Sequence, residues 1–192
     1  MVQVQLQDVL EGLDLPERPK TSIEEYIRYY QPDVGSKPGH DQYMCVHPNG
    51  VSCLGVTKQH PLVKAGRELK AKGSEDAQIK IDFGELEHLK SGTGKKKVGD
   101  KWIYKGHKIC TVTVGTEEFD IVSMARKAKL MGCNDRVRQD PWRIVDRPQG
   151  EGHLVTLFLL NVGDLANESS LISPEAYAEK REVDVGELGL AG

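Results

Sequence analysis

Short runs of alternating apolar and polar residues, most of them ending at glycine or proline, dominate the chain from Tyr43 onward. A side-chain period of two indicates a strand with one buried face. Turn residues roughly every 8 to 12 positions are typical of a small barrel or sandwich. The clearest case is the pair of apolar runs around Pro48-Asn49-Gly50, which predicts a β-hairpin. The pattern therefore predicts a mainly β fold with short flanking helices.

The same alternation predicts further strands at 79–83, 102–104, 109–114, 119–122 and 153–160. We expect 102–104 to pair with 109–114 across Lys105-Gly106, with Trp102 and Tyr104 on the buried face. The segment 64–76 is polar and without clear period, which predicts a surface loop. The hairpin register stays open: a turn on Asn49-Gly50 alone sets Cys45 opposite Leu54, and a three-residue turn sets Cys45 opposite Cys53.

Two segments carry helix signals. In 21–30, Ser22 can cap and apolar residues recur at helical spacing before Pro32, which predicts a short amphipathic helix. In 173–180, Ser173 is the cap and Pro174 the first helical residue. The expected organisation is a flexible tail at 1–21, a β domain at 22–164 with a leading short helix, a C-terminal helix within 165–185, and a disordered tail at 186–192.

Composition narrows the classes of function. The 192 residues carry a formal net charge of −3, so a charged partner must be met by a local patch. The longest apolar run, 154–160, is far short of the roughly 20 residues of a membrane span. The N-terminus has no basic segment followed by an apolar one, so no secretory signal and reduced cysteines are expected.

Motifs for catalysis or metal binding are absent from the sequence. No nucleophile elbow, zinc-protease helix, P-loop or dinucleotide fingerprint occurs. The histidines and cysteines between His40 and His60 lack the closely spaced cysteine pair of structural zinc sites. We therefore expect neither an enzyme nor a bound metal or cofactor, and we expect Cys45 and Cys53 to be inert.

The densest positive charge is Lys95-Lys96-Lys97, followed later by Arg126, Lys127 and Lys129. A solvated loop is the simplest interpretation. The alternative is a contact for an acidic protein surface, to which both segments contribute if they converge. Nucleic acid would require interleaved aromatic residues for stacking, and the lysine-rich loop has none, so the sequence does not favour it.

Asn134, Pro141, Pro148 and the run Gly150-Glu151-Gly152-His153-Leu154 resemble the second half of the glycine cleavage H-protein. That resemblance implies an H-protein-like barrel-sandwich hybrid, also called a single hybrid motif. In it the lipoyl lysine would fall at Thr116 or Glu117, within the predicted hairpin tip VGTEEF. A carrier scaffold without its attachment amine indicates a binding protein, with a lipoyl or biotinyl carrier as the alternative.

The segments 26–34 and 45–62, together with the SGTGKKK loop, resemble the Abitram family, also called Simiate. The family resemblance implies a non-enzymatic, actin-binding modulator of transcription in nucleus and cytoplasm. It leaves open whether monomeric or filamentous actin is bound and which nuclear proteins are partners. Its candidate contact residues in this chain are Lys95, Lys96, Lys97, Arg126, Lys127 and Lys129.

Overall fold

The computed structural model of the protein describes residues 26–73, 78–86 and 101–188. Within these ranges nine strands are present: β1 (Ile27–Gln31), β2 (Gln42–Val46), β3 (Val51–Val56), β4 (Ile79–Asp82), β5 (Trp102–Tyr104), β6 (Lys108–Val114), β7 (Glu117–Val122), β8 (Lys127–Cys133) and β9 (Val155–Leu159). They form two antiparallel sheets. The larger has the order β1-β2-β3-β9-β8-β5, and the smaller has the order β4-β6-β7.

The helices are short and lie between or after the strands. They are α1 (Pro61–Ala71), α2 (Asp135–Gln139), α3 (Arg143–Asp146), α4 (Gly163–Ala166) and α5 (Pro174–Arg181), with 3-10 turns at Val34–Ser36, Gly84–Leu86 and Val185–Leu188. In α5 the Ser173 hydroxyl accepts a hydrogen bond from the Ala176 N–H at 3.3 Å, which confirms the predicted cap.

Both sheets turn one face toward a common buried core. Leu54 and Leu157 come from the six-stranded sheet, and Val112 and Ile121 from the three-stranded one; all four are fully buried. Burial of each such side chain contributes roughly 1.5–3 kcal/mol. In a strand every second side chain points to the same face, so the apolar residues of the alternating pattern all reach this core. The prediction of a mainly β fold is therefore confirmed.

The hairpin of β2 and β3 adopts the three-residue turn. Cys45 lies opposite Cys53, and the His47 N–H donates to the Val51 carbonyl at 2.8 Å. Gly50 has a φ of 93°, and a Cβ there would lie 2.6 Å from the Leu159 carbonyl oxygen. Glycine at this turn is therefore required both by backbone conformation and by space.

The predicted helix at 21–30 is wrong where the structure describes it. Residues Ile27–Gln31 form β1, paired with β2, while 21–25 lie outside the described residues. Tyr29 points inward to the main core, and Tyr30 points outward into a second buried cluster with Tyr43. Because both faces are covered, β1 lacks polar-apolar alternation, and its aromatic residues fall by coincidence at helical spacing.

The predicted surface loop at 64–76 is also wrong over most of its length, because α1 occupies Pro61–Ala71. His60 caps the helix through Nδ1, which accepts from the Leu62 N–H at 3.1 Å. Gly66 packs against α3, where an added Cβ would lie 2.4 Å from a Val145 methyl. The close approach of the two helices explains a glycine in the middle of α1.

The expected pairing of β5 and its buried face are both wrong. β5 pairs with β8, not β6, so the Lys105-Gly106 turn carries the chain from one sheet to the other. Ile103 is fully buried opposite Ala128, and Tyr104 is 51% exposed. The alternation is as predicted, but its phase is inverted: Ile103 faces the core, and the aromatic residues on either side of it face outward.

Residues 172–188, named here the C-terminal clasp, cover part of the outer face of the larger sheet. Ile172 forms a two-hydrogen-bond bridge with Tyr30, and the Tyr177 ring stacks on Tyr30 with centroids 4.4 Å apart. Leu188 is fully buried. The disordered tail expected from 186 is therefore wrong for 186–188. The predictions for residues 1–21 and 189–192 concern segments outside the described residues.

Candidate partner-binding surface

The β6-β7 hairpin ends in the two-residue turn Gly115-Thr116, between the paired Val114 and Glu117. Gly115 has a φ of 61°, which glycine adopts at little cost. Residues 115–118 are exposed. The turn carries no primary amine, so its apex offers no group that could form the amide bond of a lipoyl or biotinyl arm.

Lysines near this hairpin stand away from its apex. Lys108 pairs with Val122 at the opposite end, roughly 20 Å along the strand from Val114, and forms an ion pair with Asp120 at 2.6 Å. That hydrogen bond to Asp120 raises the pKa of Lys108. Lys80 is exposed opposite Thr113, but it stands within β4 and not on the turn.

The second predicted basic segment lies at the start of β8. Arg126 and Lys127 are exposed, and Lys129 is half-buried on the same face as Lys127. Lys95, Lys96 and Lys97 lie outside the described residues, so their convergence with this segment stays a prediction. The structure thus describes three of the six candidate cations and sets Lys127 and Lys129 on one strand face.

The outward side of three adjacent strands forms a surface that we name the open face. Its members come from β5, β8 and the end of β9: Trp102, Tyr104, Lys127, Lys129, Phe158 and Leu160. The Lys127 ammonium lies 4.7 Å from the centroid of the Trp102 ring, a cation–π contact. Sequence reasoning missed the aromatic members because it assigned large rings to the core.

A cleft of about 330 Å³ lies between 82–86 and 107–111, but its polar groups are engaged locally. Lys101 pairs with Glu85 at 3.3 Å, and Asp82 accepts from the Gly84 N–H at 2.7 Å. Cys110 borders the cleft and is 2% exposed, and burial raises the pKa of its thiol far above the usual range. A nucleophilic cysteine requires the opposite shift.

The cysteines of β2 and β3 share one face, as the three-residue turn requires. Both are free thiols, half-buried, and burial raises the pKa of Cys45 to about 11. Burial also raises the pKa of Cys53. Among residues 26–73, 78–86 and 101–188, no three histidine, cysteine, aspartate or glutamate side chains group so that they could hold a metal ion.

Trp142 lies at the edge of the domain beside α1. It is half-buried and packs partly against the main core, and the Lys70 ammonium lies 5.7 Å from its ring centroid. It provides a second lysine–tryptophan contact outside the open face.

Two facing antiparallel sheets and an exposed two-residue hairpin define the class of the fold. The crystal structure of a glycine cleavage system H protein from Mycobacterium marinum matches the chain with a TM-score of 0.51 at 17% identity, over 81% of this chain and 97% of that one. The predicted H-protein-like fold is therefore confirmed, and at this identity the likeness concerns the fold alone.

Sequence comparison adds particular relatives. The chain is 25% identical to Protein Abitram of Xenopus tropicalis over 166 residues, which is 86% of this chain and 87% of the relative. It is also 25% identical to Protein Abitram of Homo sapiens over 154 residues, 80% of this chain and 82% of that protein. These homologues confirm the resemblance to Abitram proteins. No protein-family model matches the chain.

In the parts of the chain described above, none of the helices combines the length and the apolar character that crossing a bilayer requires.

Proposed function

We propose that the protein is a non-enzymatic regulator that binds actin and influences filament assembly, and that it resides in nucleus and cytoplasm and modulates transcription. The observation that carries this proposal is its similarity to proteins named Abitram over 80 to 86% of the chain. An exposed hairpin turn without an amine supports a binding role over a carrier role.

Local charge supplies the physical basis for an acidic partner. Arg126 and Lys127 are exposed, Lys129 stands on the same strand face as Lys127, and β5, β8 and β9 contain no aspartate or glutamate. An actin filament has a negatively charged exterior. Each exposed cation contributes on the order of 1 kcal/mol at best, and salt screens that contribution. Charge therefore steers and orients the complex, and apolar contacts must add to it.

Co-sedimentation with filamentous actin tests the proposal. The variant Arg126→Ala, Lys127→Ala, Lys129→Ala should weaken binding, and raised salt should weaken binding of the unmodified protein. The matched control is Lys64→Ala, Arg67→Ala, Lys72→Ala, which also removes one arginine and two lysines, here from exposed positions in and beside α1. An equal loss of actin binding in both variants would show that binding depends on the net charge of the protein and not on the cations of β8.

The lysine-rich loop has its own variant, Lys95→Ala, Lys96→Ala, Lys97→Ala. A loss of binding similar to that of the β8 variant would assign both segments to one contact. Unchanged binding would remove the loop from the contact. No co-sedimentation of the unmodified protein at low salt, and no effect on the assembly of monomeric actin, would overturn the actin proposal for this chain.

Measurement of the intact protein mass distinguishes the carrier alternative from the proposed binding function. After expression together with a lipoylating enzyme, we expect the mass of the unmodified chain. A fixed mass addition on one lysine would establish the carrier function instead. Immunofluorescence together with cell fractionation tests the proposed residence, and signal confined to one compartment would contradict it.

A further inference from the structure

Three aromatic side chains occupy outward positions on the open face. Tyr104 is 51% exposed, and Trp102 and Phe158 are half-buried. Trp102 lies directly opposite Lys129 on β8, and Lys129 lies directly opposite Phe158 on β9. Directly paired residues share a face of the sheet, so the three form one row across three strands.

The row alternates aromatic and cationic groups at the spacing of the sheet. Neighbouring strands lie about 4.8 Å apart, so Trp102 and Phe158 are separated by roughly 10 Å, with the Lys129 strand between them. Two residues further along β5, a second pair on the same face repeats the pattern, with Tyr104 opposite Lys127. The Lys127 ammonium also contacts the Trp102 ring, which places a cation beside each of these aromatic side chains.

The charged side chains within the three strands of this face are all cationic. None of the three strands contains an acidic residue, and Arg126 stands exposed where β8 begins. The chain as a whole has a net charge of −3, so this local concentration of cations is not a consequence of overall composition. A polyanion would meet an attractive potential here despite the acidic balance of the protein.

Aromatic residues are common in protein–protein interfaces, but lysine is depleted from the centres of such interfaces. Here Lys129 stands between Trp102 and Phe158, and Lys127 contacts the Trp102 ring. Proteins that hold single-stranded nucleic acid combine aromatic side chains, on which bases stack, with cations that track the phosphates. We propose that the open face binds single-stranded nucleic acid by stacking bases on Trp102, Phe158 and Tyr104, with Lys127, Lys129 and Arg126 contacting phosphates.

This mode of binding reads no base edge, so it has little sequence preference and requires unpaired bases. A duplex keeps its bases stacked inside and can use only the cations. Salt dependence follows from the number of phosphates contacted: three cations predict a slope of log affinity against log salt of roughly −2 for a single strand. The proposal does not require actin binding, although both proposals assign a role to Arg126, Lys127 and Lys129.

Fluorescence anisotropy of a labelled oligothymidylate tests it with the full-length protein at about 50 mM salt. We expect saturable binding that weakens with salt, and weaker binding of a duplex of equal length. The variant Trp102→Leu should weaken binding about five- to tenfold, whereas Trp102→Phe should retain most of it, because phenylalanine keeps a stacking surface. Tyr104→Ala should act like Trp102→Leu. Thermal unfolding of each variant establishes that it is folded.

The matched control is the second lysine–tryptophan contact. Lys70→Ala removes the same type of cation beside Trp142, outside the open face, and should leave oligonucleotide affinity unchanged. The corresponding Lys127→Ala should weaken binding and reduce the salt slope by about 0.7.

Tryptophan fluorescence reports stacking directly, since the chain has two tryptophans. In Trp142→Phe the remaining Trp102 should be quenched by oligothymidylate to saturation. In Trp102→Phe the remaining Trp142 should be unaffected.

Three results would overturn the proposal. Absence of oligonucleotide binding at low salt would do so, and so would equal binding of duplex and single strand. Binding of heparin with the same affinity, together with no effect of Trp102→Leu, would reduce the face to a general anion contact. If Trp102→Leu abolishes actin co-sedimentation while no oligonucleotide binds, the open face is a protein-docking surface. Oligonucleotide binding without actin binding would instead retain this inference and overturn the proposed function.

Discussion

Arg181 and Asp41 form a bidentate ion pair across 140 positions of sequence. Arg181 Nε donates to one oxygen of Asp41 at 2.8 Å and Nη2 donates to the other at 2.7 Å. The Tyr177 hydroxyl also donates to Asp41 at 2.7 Å. Burial raises the pKa of Asp41, but the hydrogen bonds from Arg181 and its neighbours outweigh it, and the net pKa lies below the usual value. The pair fastens the C-terminal clasp to the sheet.

Removing the arginine should therefore be costly. In Arg181→Ala the fully buried Asp41 carboxylate loses its partner, and we expect a loss of about 3 kcal/mol in the free energy of unfolding. Urea unfolding measures it. Lys180→Ala is the control, because Lys180 is half-exposed and lies 3.6 Å from Asp33; its loss should stay below about 1 kcal/mol. Equal losses in the two variants would refute the assigned role of the buried pair.

Gly66→Ala should destabilise the protein although alanine favours helices. The new methyl carbon would lie 2.4 Å from a Val145 methyl, so α1 and α3 must separate. Overpacking of this kind costs about 1–3 kcal/mol. Gly73→Ala would be a poor control because Gly73 has a φ of 60°. Lys64→Ala, exposed on α1, serves instead, and thermal unfolding should show its midpoint close to that of the unmodified protein.

Stability should fall as pH drops from neutrality, in part because of His60. Burial lowers the pKa of His60 from 6.5 to about 3, so the folded state keeps a neutral ring while the unfolded state takes up a proton below pH 6.5. The stabilisation is complete above pH 6.5 and is lost progressively toward pH 3. Between pH 6.5 and 5 the loss from this one residue should be about 2 kcal/mol.

Urea unfolding of His60→Asn at several pH values isolates that contribution. Asparagine can still cap α1 by accepting from the Leu62 N–H, but it does not titrate. The variant should be less stable at neutral pH and should show a shallower decline. The pKa values of His40 and His153 are also lowered, first of all by burial, and their part of the decline should persist. Parallel pH profiles for the two proteins would contradict the assignment.

Cys45 should react slowly with alkylating reagents. With a pKa of about 11, only about one thiol in a thousand is a thiolate at pH 8. Peptide-resolved labelling with iodoacetamide should show a rate that rises about tenfold per pH unit until near pH 11. The same cysteine in urea-unfolded protein is the reference. Native and unfolded rates of equal size at pH 8 would count against burial as the cause.

Local sequence signals were sufficient to predict those elements whose residue pattern is compatible with only one type of secondary structure. The β2-β3 hairpin and the α5 cap follow from Gly50 and Ser173 alone, and both are confirmed. The sequence could not decide what covers Tyr30, because that depends on α5, which begins at Pro174, 144 positions later. Without the clasp, a strand buried on both faces resembles an amphipathic helix.

The open face was missed for a related reason. Alternation determines which residues of β5 share a side of the strand, but not which side is buried. Because Trp102 and Tyr104 are large and aromatic, their side was predicted to be the buried one. Ile103 opposite Ala128 settles the phase through a pairing that only the folded sheet reveals. The cations of β8 could be predicted, since charge is visible in sequence, but the aromatic residues beside them could not.

One half of the outer side of the larger sheet lies under the C-terminal clasp, and the other half is the open face. Evolution can therefore act on the two halves separately. A library selected only for folding should hold Tyr30 and Tyr177 fixed while Trp102 and Tyr104 drift, and a library selected for function should constrain all four. This scaffold can thus change what it recognises without rebuilding what keeps it folded.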